Sequence, residues 1–133
     1  MPSSPLLVVD AANVIGARPD GWWRDRAGAV QRLLVAFSRT AWDDRREVVV
    51  VLEGAARSGA GVGTVDGVRV VHASRSGDDE IVDVVAAALD ADTDRQVTVV
   101  TADRGLRERV RALGADRMGP RTLWQLLDGG STS

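Results

Sequence analysis

Four apolar runs of this sequence are each followed, within a few residues, by a carboxylate. Asp10 follows the run LLVV, Glu53 follows VVVVL, and Asp103 follows VTVVTA. The adjacent pair Asp78 and Asp79 follows VRVVHASRSG. Carboxylates that gather at one place raise one another's pKa unless a cation is bound between them. Oxygen-only ligands of this kind suit Mg²⁺ or Mn²⁺, completed by water and by the phosphate oxygens of a substrate. The expected chemistry is metal-assisted hydrolysis of a phosphodiester.

The neighbours of each carboxylate decide how strong a candidate it is. Asp10 is the strongest, because Asn13 follows three residues later and its amide could hold the Asp10 carboxylate or a water molecule. The competing interpretation of Asp10 is ordinary turn chemistry at a strand end. Asp103 is also a candidate, although it could equally cap the helix that begins after it. Glu53 is the weakest, because it adjoins a glycine-rich segment and could point away.

Asp78 and Asp79 follow Gly77 at the predicted start of a helix, where an aspartate is also an ordinary N-cap residue. We expect one of the pair to cap the helix and the other, preferentially Asp78, to lie in the site. Asp83 falls on the same helical face as Asp79, four residues further on. Asp79 and Asp83 are therefore secondary candidates for metal ligands, with a solvated surface acid as the leading interpretation of Asp83.

The side chains that would meet a substrate are less sharply defined. A guanidinium group binds phosphate in a bidentate manner, although most arginines are solvated surface residues. The candidates for substrate binding are Arg75, Arg104 and Arg18. His72, the only histidine, is expected in the core or at a strand end rather than in catalysis. Trp22 and Trp23 could either pack onto the following helix or stack on an unpaired base.

The elements that must position these residues are strands alternating with helices. Short apolar, β-branched runs predict buried strands at Leu6–Val9, Val48–Leu52, Val68–Val71 and Val97–Val100, with a weaker one at Arg117–Met118. Near-helical spacing of apolar residues predicts helices over Arg26–Trp42, Asp79–Leu89 and Leu106–Leu113, and Gly119–Pro120 introduces a last one. This alternation indicates an α/β fold with a mainly parallel sheet of four to five strands and helices on both faces. The carboxyl ends of such strands meet at one edge of the sheet, which would gather the acids.

Two parts of the chain depart from this pattern. The segment from Glu53 to Gly67 is rich in glycine and small residues, which predicts a mobile loop or a short helix with a flap. Residues 1–5 and 129–133 are expected to be frayed. The length of 133 residues fits a single domain over residues 1–133.

The composition excludes several classes of protein. The net charge is −2, all 17 basic residues are arginine, and 15 of the 19 acidic residues are aspartate, so a lysine-dependent mechanism is excluded. The absence of cysteine excludes disulfides, thiolate metal sites and a cysteine nucleophile, and suits a cytoplasmic location. The apolar runs are too short to indicate a membrane protein. Binding to a polyanion would need local arginine clusters or bridging metal ions.

Three stretches resemble the motifs of a known family. VVDAANVIG resembles the first motif of NYN domains, a branch of the PIN-like nucleases, and in particular that of the bacterial YacP-like subgroup, in which a strand ends in Asp, two residues, then Asn. SGDDEIVDVVA resembles the second motif, an acid three residues before an aliphatic, a register that matches Asp78 and Ile81. VTVVTADRGLRERVRALGA is similar to the third motif, in which Asp103 is the matching acid. The resemblance covers roughly residues 6–127.

The resemblance implies a PIN-like Rossmannoid fold with three α/β/α layers. It implies a ribonuclease that depends on Mg²⁺ or Mn²⁺, acts on RNA and forms no covalent intermediate. Carried over by position, the metal-binding acids are Asp10, Asp78 and Asp103, and Asn13 is their polar neighbour, so that these four are the expected catalytic residues. Where many relatives have a further aspartate two residues after the third acid, this chain has Gly105. A single metal ion or weakened catalysis would follow, unless Asp79 or Asp83 substitutes.

Two other functions compete with the nuclease. One is a catalytically weak RNA-binding or ribosome-associated module on the same fold, which Gly105 and the modest net charge favour and the retained acids oppose. Its partners would be RNA together with the ribosome or RNA-processing proteins, and the oligomeric state is open. The other is a phosphate-handling α/β protein of another class. A receiver domain uses a lysine, and a haloacid-dehalogenase-like phosphatase needs a second aspartate where Ala12 lies, so both fit poorly.

Overall fold

Six strands and five α-helices follow one another in residues 4–40, 46–65 and 67–130, the part of the chain that the computed structural model describes. The strands are β1 (Leu6–Asp10), β2 (Glu47–Leu52), β3 (Gly63–Val65), β4 (Val68–His72), β5 (Val97–Val100) and β6 (Asp116–Met118). The helices are α1 (Ala11–Gly16), α2 (Arg26–Ser38), α3 (Gly77–Ala91), α4 (Arg104–Ala112) and α5 (Pro120–Gly130). Two 3₁₀ segments, Trp22–Arg24 and Gly54–Gly59, precede α2 and β3.

The sheet has the strand order β3-β4-β2-β1-β5-β6. Neighbouring strands are parallel, except that β3 runs antiparallel to β4. The prediction of an α/β fold with a mainly parallel sheet is confirmed. The described residues form six strands rather than four to five, because β3 lies in the glycine-rich segment, where no apolar run marks it.

Strands β1, β2 and β5 are buried on both faces, which explains why they read as unbroken apolar runs. On one face, Leu7, Val9 and Val50 belong to a core that α1, α2 and α5 complete. On the other face, Val8 and Val49 belong to a core that α3 and α4 complete. Two cores on opposite sides of one sheet produce the expected three layers, α/β/α.

The glycine-rich segment packs closely against α2. A Cβ atom on Gly59 would lie 2.6 Å from Cβ of Val30 and 3.0 Å from the carbonyl oxygen of Ala27. Glycine is therefore the residue that permits this approach. The short helix of the prediction is present as the 3₁₀ segment Gly54–Gly59, and the part expected to be a flap contains the strand β3.

Helix α3 begins earlier than the apolar spacing predicts. Its N-cap is Ser76, whose Oγ accepts a hydrogen bond of 3.2 Å from the backbone N–H of Asp79. The prediction that Asp78 or Asp79 caps this helix is therefore wrong. Because Ser76 provides the cap, Asp78 is left free of that role.

Helix α2 and both ends of the chain can be compared with the prediction only in part. α2 ends at Ser38, so the predicted continuation of the helix through residues 39–40 is wrong, and residues 41–42 of the prediction lie outside the described part. Residues 1–5 and 129–133 were expected to be frayed. The backbone carbonyl oxygens of Ser4 and Pro5 each accept a hydrogen bond, and residues 129–130 are the last two of α5. Residues 1–3 and 131–133 lie outside the described part.

Within the described residues, no helix combines the length and apolar character needed to cross a bilayer.

Candidate active site

The carboxyl ends of β1 and β5, two neighbouring parallel strands, lie side by side, and we call the space outside them the crevice. The helices that follow these strands pack on opposite faces, α1 with α2 and α5, and α4 with α3. In open α/β sheets, ligands bind where adjacent strands send their connections to opposite faces. Asp10 ends β1 and Thr101 directly follows β5, so both lie at this position.

Asp10 is buried, with 4% of its surface exposed, and is held by three hydrogen-bond donors. Its Oδ2 accepts from Nδ2 of Asn13 (2.7 Å) and from Oγ1 of Thr101 (2.8 Å). Its Oδ1 lies 3.5 Å from the backbone N of Asn13 at the start of α1. A buried carboxylate is costly unless it is hydrogen-bonded, and these donors also fix its orientation.

The same network extends to Asp103. Oδ1 of Asn13 accepts from the backbone N–H of Ala102 (3.3 Å), and Oγ1 of Thr101 accepts from that of Asp103 (3.1 Å). Oδ1 of Asp103 accepts from the backbone N–H of Leu106 (2.9 Å) and caps α4. In the described part of the chain, Oδ2 of Asp103 accepts no hydrogen bond. Capping therefore occupies one oxygen of this carboxylate and leaves the other for a ligand.

Glu53 and Asp78 reach the same crevice from β2 and α3. Oε2 of Glu53 accepts a hydrogen bond of 2.7 Å from the backbone N–H of Gly77. A Cβ atom on Gly77 would lie 3.1 Å from Oε1 of Glu53, so the contact needs glycine or a small displacement. This bond connects the end of β2 to the first turn of α3, which carries the half-buried Asp78. Glu53 was the weakest candidate in the sequence, yet the structure brings it into the site.

Asp10, Glu53, Asp78 and Asp103 lie within electrostatic reach of one another. Burial is the largest cause that raises the pKa of Asp78, and the charges of Asp103, Asp10 and Glu53 raise it further. The guanidinium of Arg109 partly opposes this by lowering it. We call Asp10, Glu53, Asp78 and Asp103 the acidic cluster.

The pKa of Asp10 is also raised above its usual value of 3.8, and burial is again the main cause. The hydrogen bonds from Thr101 and Asn13 act in the opposite direction, since they stabilise the ionised form. The charge of Glu53 adds a smaller increase. A cation bound in the crevice would relieve the cost of burial and the repulsion together.

The secondary acidic candidates lie beside the acidic cluster rather than in it. Asp79 is exposed and forms an ion pair of 3.0 Å with Nη2 of Arg109. Asp79 and Arg109 line a hollow of about 440 Å³ together with Asp83 and Arg75. Of the three candidate arginines, Arg75 is therefore the one that lines this hollow.

The other basic candidates differ in how they are held. Arg18 lies over the ring of Trp124 at 4.0 Å and forms an ion pair of 2.7 Å with Asp128, so it is engaged with α5. Arg104 is exposed and directly follows Asp103 at the start of α4. Of the three candidate arginines, Arg104 is therefore the one adjacent to the acidic cluster.

His72 lies at the end of β4, as its position in the apolar run predicts. Its Nε2 is 2.7 Å from the carbonyl oxygen of Ala60, so the ring N–H donates to the glycine-rich segment. This contact gives His72 a structural partner outside the acidic cluster.

The donor set of the acidic cluster fits Mg²⁺ or Mn²⁺, because it consists of carboxylate oxygens whose mutual repulsion a cation would relieve. Among the described residues, no three acidic or histidine side chains already converge closely enough to hold an ion. Mg²⁺ is commonly bound through one or two carboxylates, with water and substrate phosphates completing its shell. The cluster therefore suits a cation that is recruited together with a phosphate-bearing substrate.

The mainly parallel six-stranded sheet between two layers of helices matches the fold of PIN-like Rossmannoid domains. Two crystal structures of Rae1 (YacP) from Bacillus subtilis share this fold. The wild-type structure has a TM-score of 0.73 and 22% sequence identity, covering 93% of this chain and 74% of that chain. A single-residue mutant of Rae1 has a TM-score of 0.77 and 21% identity, covering 94% of this chain and 76% of that one.

A family model assigns the chain more closely. The model of the YacP-like NYN domain matches residues 7–132, nearly the full length, and the chain belongs to this family. The resemblance noted in the three sequence motifs is thereby confirmed. No curated protein sequence matches the chain.

Three residues of the site were underrated or unmarked in the sequence. Thr101 lies within the third motif and was not a candidate, although a hydroxyl two residues before Asp103 is a signal that a carboxylate is being oriented. Ser76 precedes the helix that was assigned to an aspartate cap, and serine is an equally strong N-cap residue. Glu53 offered no local signal, because its hydrogen-bond partner is Gly77, 24 residues further along the chain.

Proposed function

We propose that this protein is a metal-dependent ribonuclease that hydrolyses RNA phosphodiester bonds at the acidic cluster. The observation that carries the proposal is the buried carboxylate of Asp10, fixed by Asn13 and Thr101 beside other carboxylates. Membership of the YacP-like NYN family supports a nuclease-like function related to RNA. The proposed cofactor is Mg²⁺ or Mn²⁺, and its proposed ligands are Asp10, Asp78 and Asp103.

The residues of the site have different parts in this proposal. Asn13 and Thr101 orient Asp10 and favour its ionised form, since both donate to the same oxygen. Glu53 holds the first turn of α3 and so positions Asp78. When bound, the metal ion would lower the pKa of an attacking water and offset the charge that develops on the phosphate. Arg104, next to the cluster, is the proposed contact for a substrate phosphate.

A catalytically weak RNA-binding module is the alternative. Gly105, at the position where many relatives have an aspartate, and the lack of a ready-made three-acid group among the described residues both favour it. Because the net charge is −2, a ribosome or RNA-processing partner that supplies positive charge is a further proposal. The cysteine-free composition supports a cytoplasmic location as part of the same proposal.

The test is cleavage of a labelled RNA pool in Mn²⁺, in Mg²⁺ or in a chelator. The wild type is compared with an Asp10→Asn, Asp103→Asn double variant. The matched control is Asp90→Asn, Asp94→Asn, which removes the same two charges from exposed positions. We expect cleavage that requires a metal ion, persists in the control and falls to the chelator level in the test variant.

Two results would contradict the nuclease. One is RNA binding without cleavage in any metal, which would leave the binding module. The other is cleavage that survives the Asp10→Asn, Asp103→Asn change in a folded protein, because it would place the chemistry outside the acidic cluster. Circular dichroism of each variant checks that the fold is retained.

A further inference from the structure

Two depressions lie beside the acidic cluster on the side of α1, and both are lined by Ala12 and Trp22. The first has a volume of about 610 Å³ and also contains Asn13, Gly16 and Arg121. The second has a volume of about 330 Å³ and also contains Ile15, Arg26 and Glu53. The two depressions adjoin at these shared residues, and we call them together the Trp22 cleft. Its volume is in the range of small-molecule sites.

Trp22 is held from several sides while its ring still lines the cleft. It is partly buried against the core that contains α1 and α2. Its ring meets that of Trp23 edge to face, with a centroid distance of 5.9 Å and an interplanar angle of 89°. The guanidinium of Arg26 lies 5.6 Å from the ring centroid. An aromatic ring that is already ordered loses little freedom when a ligand stacks on it.

The charges of the cleft match a segment of nucleic-acid backbone. Arg26 lies in one depression and Arg121 in the other, so a guanidinium is available on each side of Trp22. The cleft also borders the acidic cluster twice, through Asn13, which binds Asp10, and through Glu53. A strand lying along the cleft would therefore pass the carboxylates with its phosphates bound on both sides.

We propose that the Trp22 cleft binds single-stranded RNA, with one unpaired base stacked on Trp22 and the flanking phosphates bound by Arg26 and Arg121. The inference rests on the proposed function for the chemical class of the ligand and extends it by selecting unpaired RNA. Bases inside a duplex already stack on one another, whereas an unpaired base offers its face to an aromatic side chain. Trp22 is thus the positioning residue that brings a single strand to the acidic cluster.

The test measures binding by fluorescence anisotropy of a labelled single-stranded RNA decamer and of its duplex, in a chelator so that no cleavage occurs. Trp22→Leu is compared with Val62→Ala, a control at an apolar residue that is 68% exposed and lines neither depression. We expect Trp22→Leu to raise the Kd for the single strand about 5- to 150-fold, the range for one lost base–aromatic stack. Val62→Ala should leave the Kd unchanged, and duplex binding should not respond to Trp22→Leu.

A second variant leaves the tryptophan in place. A Cβ atom on Gly16 would meet only Trp22 within 4 Å, at 3.9 Å from Cζ2, so a leucine at this position would extend across the ring. We expect Gly16→Leu to weaken single-strand binding as Trp22→Leu does, with thermal melting as the check on folding. If Trp22→Leu fails to fold, Gly16→Leu decides the question alone.

The cleft is ruled out if the wild type binds no single strand, if the folded variants bind it as tightly as Val62→Ala does, or if duplex binding falls equally. Metal-dependent cleavage with unchanged affinity in these variants would reject the cleft and keep the nuclease. Trp22-dependent binding without cleavage in any metal would keep the cleft and reject the nuclease. The two proposals therefore fail separately.

Discussion

Asp10 and Asp103 each combine two roles that the sequence presents as alternatives. Each is the N-cap of the helix that follows it, and each also faces the crevice at the centre of the sheet. Asp103 caps α4 through Oδ1, and Asp10 receives its shorter hydrogen bonds at Oδ2 rather than at the capping oxygen. The cap therefore fixes the orientation of the Asp103 carboxylate through one oxygen only.

The motif residues of the site could be found from the sequence, and the contacts that organise them could not. Asp10 and Asn13 are three residues apart, so their hydrogen bond is a local feature of a strand end. The bond from Thr101 to Asp10 joins residues 91 positions apart, and only the pairing of β1 with β5 brings them together. Long-range partners of this kind depend on strand order, which spacing along the chain does not determine.

At Thr101 the hydroxyl group links two carboxylates. It donates to Asp10 and accepts from the backbone N–H of Asp103, and the first of these bonds lowers the pKa of Asp10. Thr101→Val removes the donor, so burial acts with less opposition and the pKa of Asp10 rises further. The ionised form that binds a cation is then reached only at higher pH. We expect the acid limb of the pH profile of cleavage to shift to higher pH, with a loss of about 10- to 100-fold in metal affinity.

Thr101→Ser is the matched control, because it keeps the hydroxyl group and removes one methyl. Its pH profile should coincide with that of the wild type. An unchanged profile in a folded Thr101→Val protein would show that the hydroxyl does not tune Asp10. A shift of equal size in both variants would indicate a packing effect instead.

At the scale of elements, the sequence predicted the long buried strands best. β1, β2, β4 and β5 have apolar side chains on both faces and are visible as runs. β3 and β6 have three residues each and lie at the two edges of the sheet, where pairing with a single neighbour demands little apolar character. This low apolar content explains both outcomes: β6 was the most weakly predicted strand, and β3 was not predicted.

The glycine-rich segment gives a test of packing between elements. Gly59→Ala would place a Cβ atom 2.6 Å from Cβ of Val30, so α2 or the 3₁₀ segment must move. We expect the change to lower the free energy of unfolding by about 1–3 kcal/mol, as is usual for overpacking. Gly61→Ala is the matched control, because nothing lies within 4 Å of a Cβ atom there. Urea denaturation of both variants measures the difference, and equal stability would show that the segment does not pack tightly on α2.

At the scale of the whole molecule, the net negative charge opposes the proposed binding of RNA. The chain carries a net charge of −2, and the acidic cluster concentrates part of the negative charge where a polyanion is proposed to bind. A general electrostatic attraction for RNA is therefore absent, and binding has to come from a few placed arginines, stacking and a bridging cation. This distribution favours a protein that binds short, unpaired segments rather than long duplexes.

The salt dependence of RNA binding measures how many phosphates the chain neutralises. For a single strand, the slope of log K against log salt is about −0.7 for each neutralised phosphate. If Arg26 and Arg121 bind the two flanking phosphates and Arg104 binds a third, we expect a slope of about −2.1 in a chelator. Arg26→Gln should reduce the magnitude of the slope by about 0.7, whereas Arg39→Gln, an exposed position outside the cleft, should leave it unchanged. A slope of about −3 or steeper, insensitive to Arg26, would mean that RNA spreads over other basic residues and not along the Trp22 cleft.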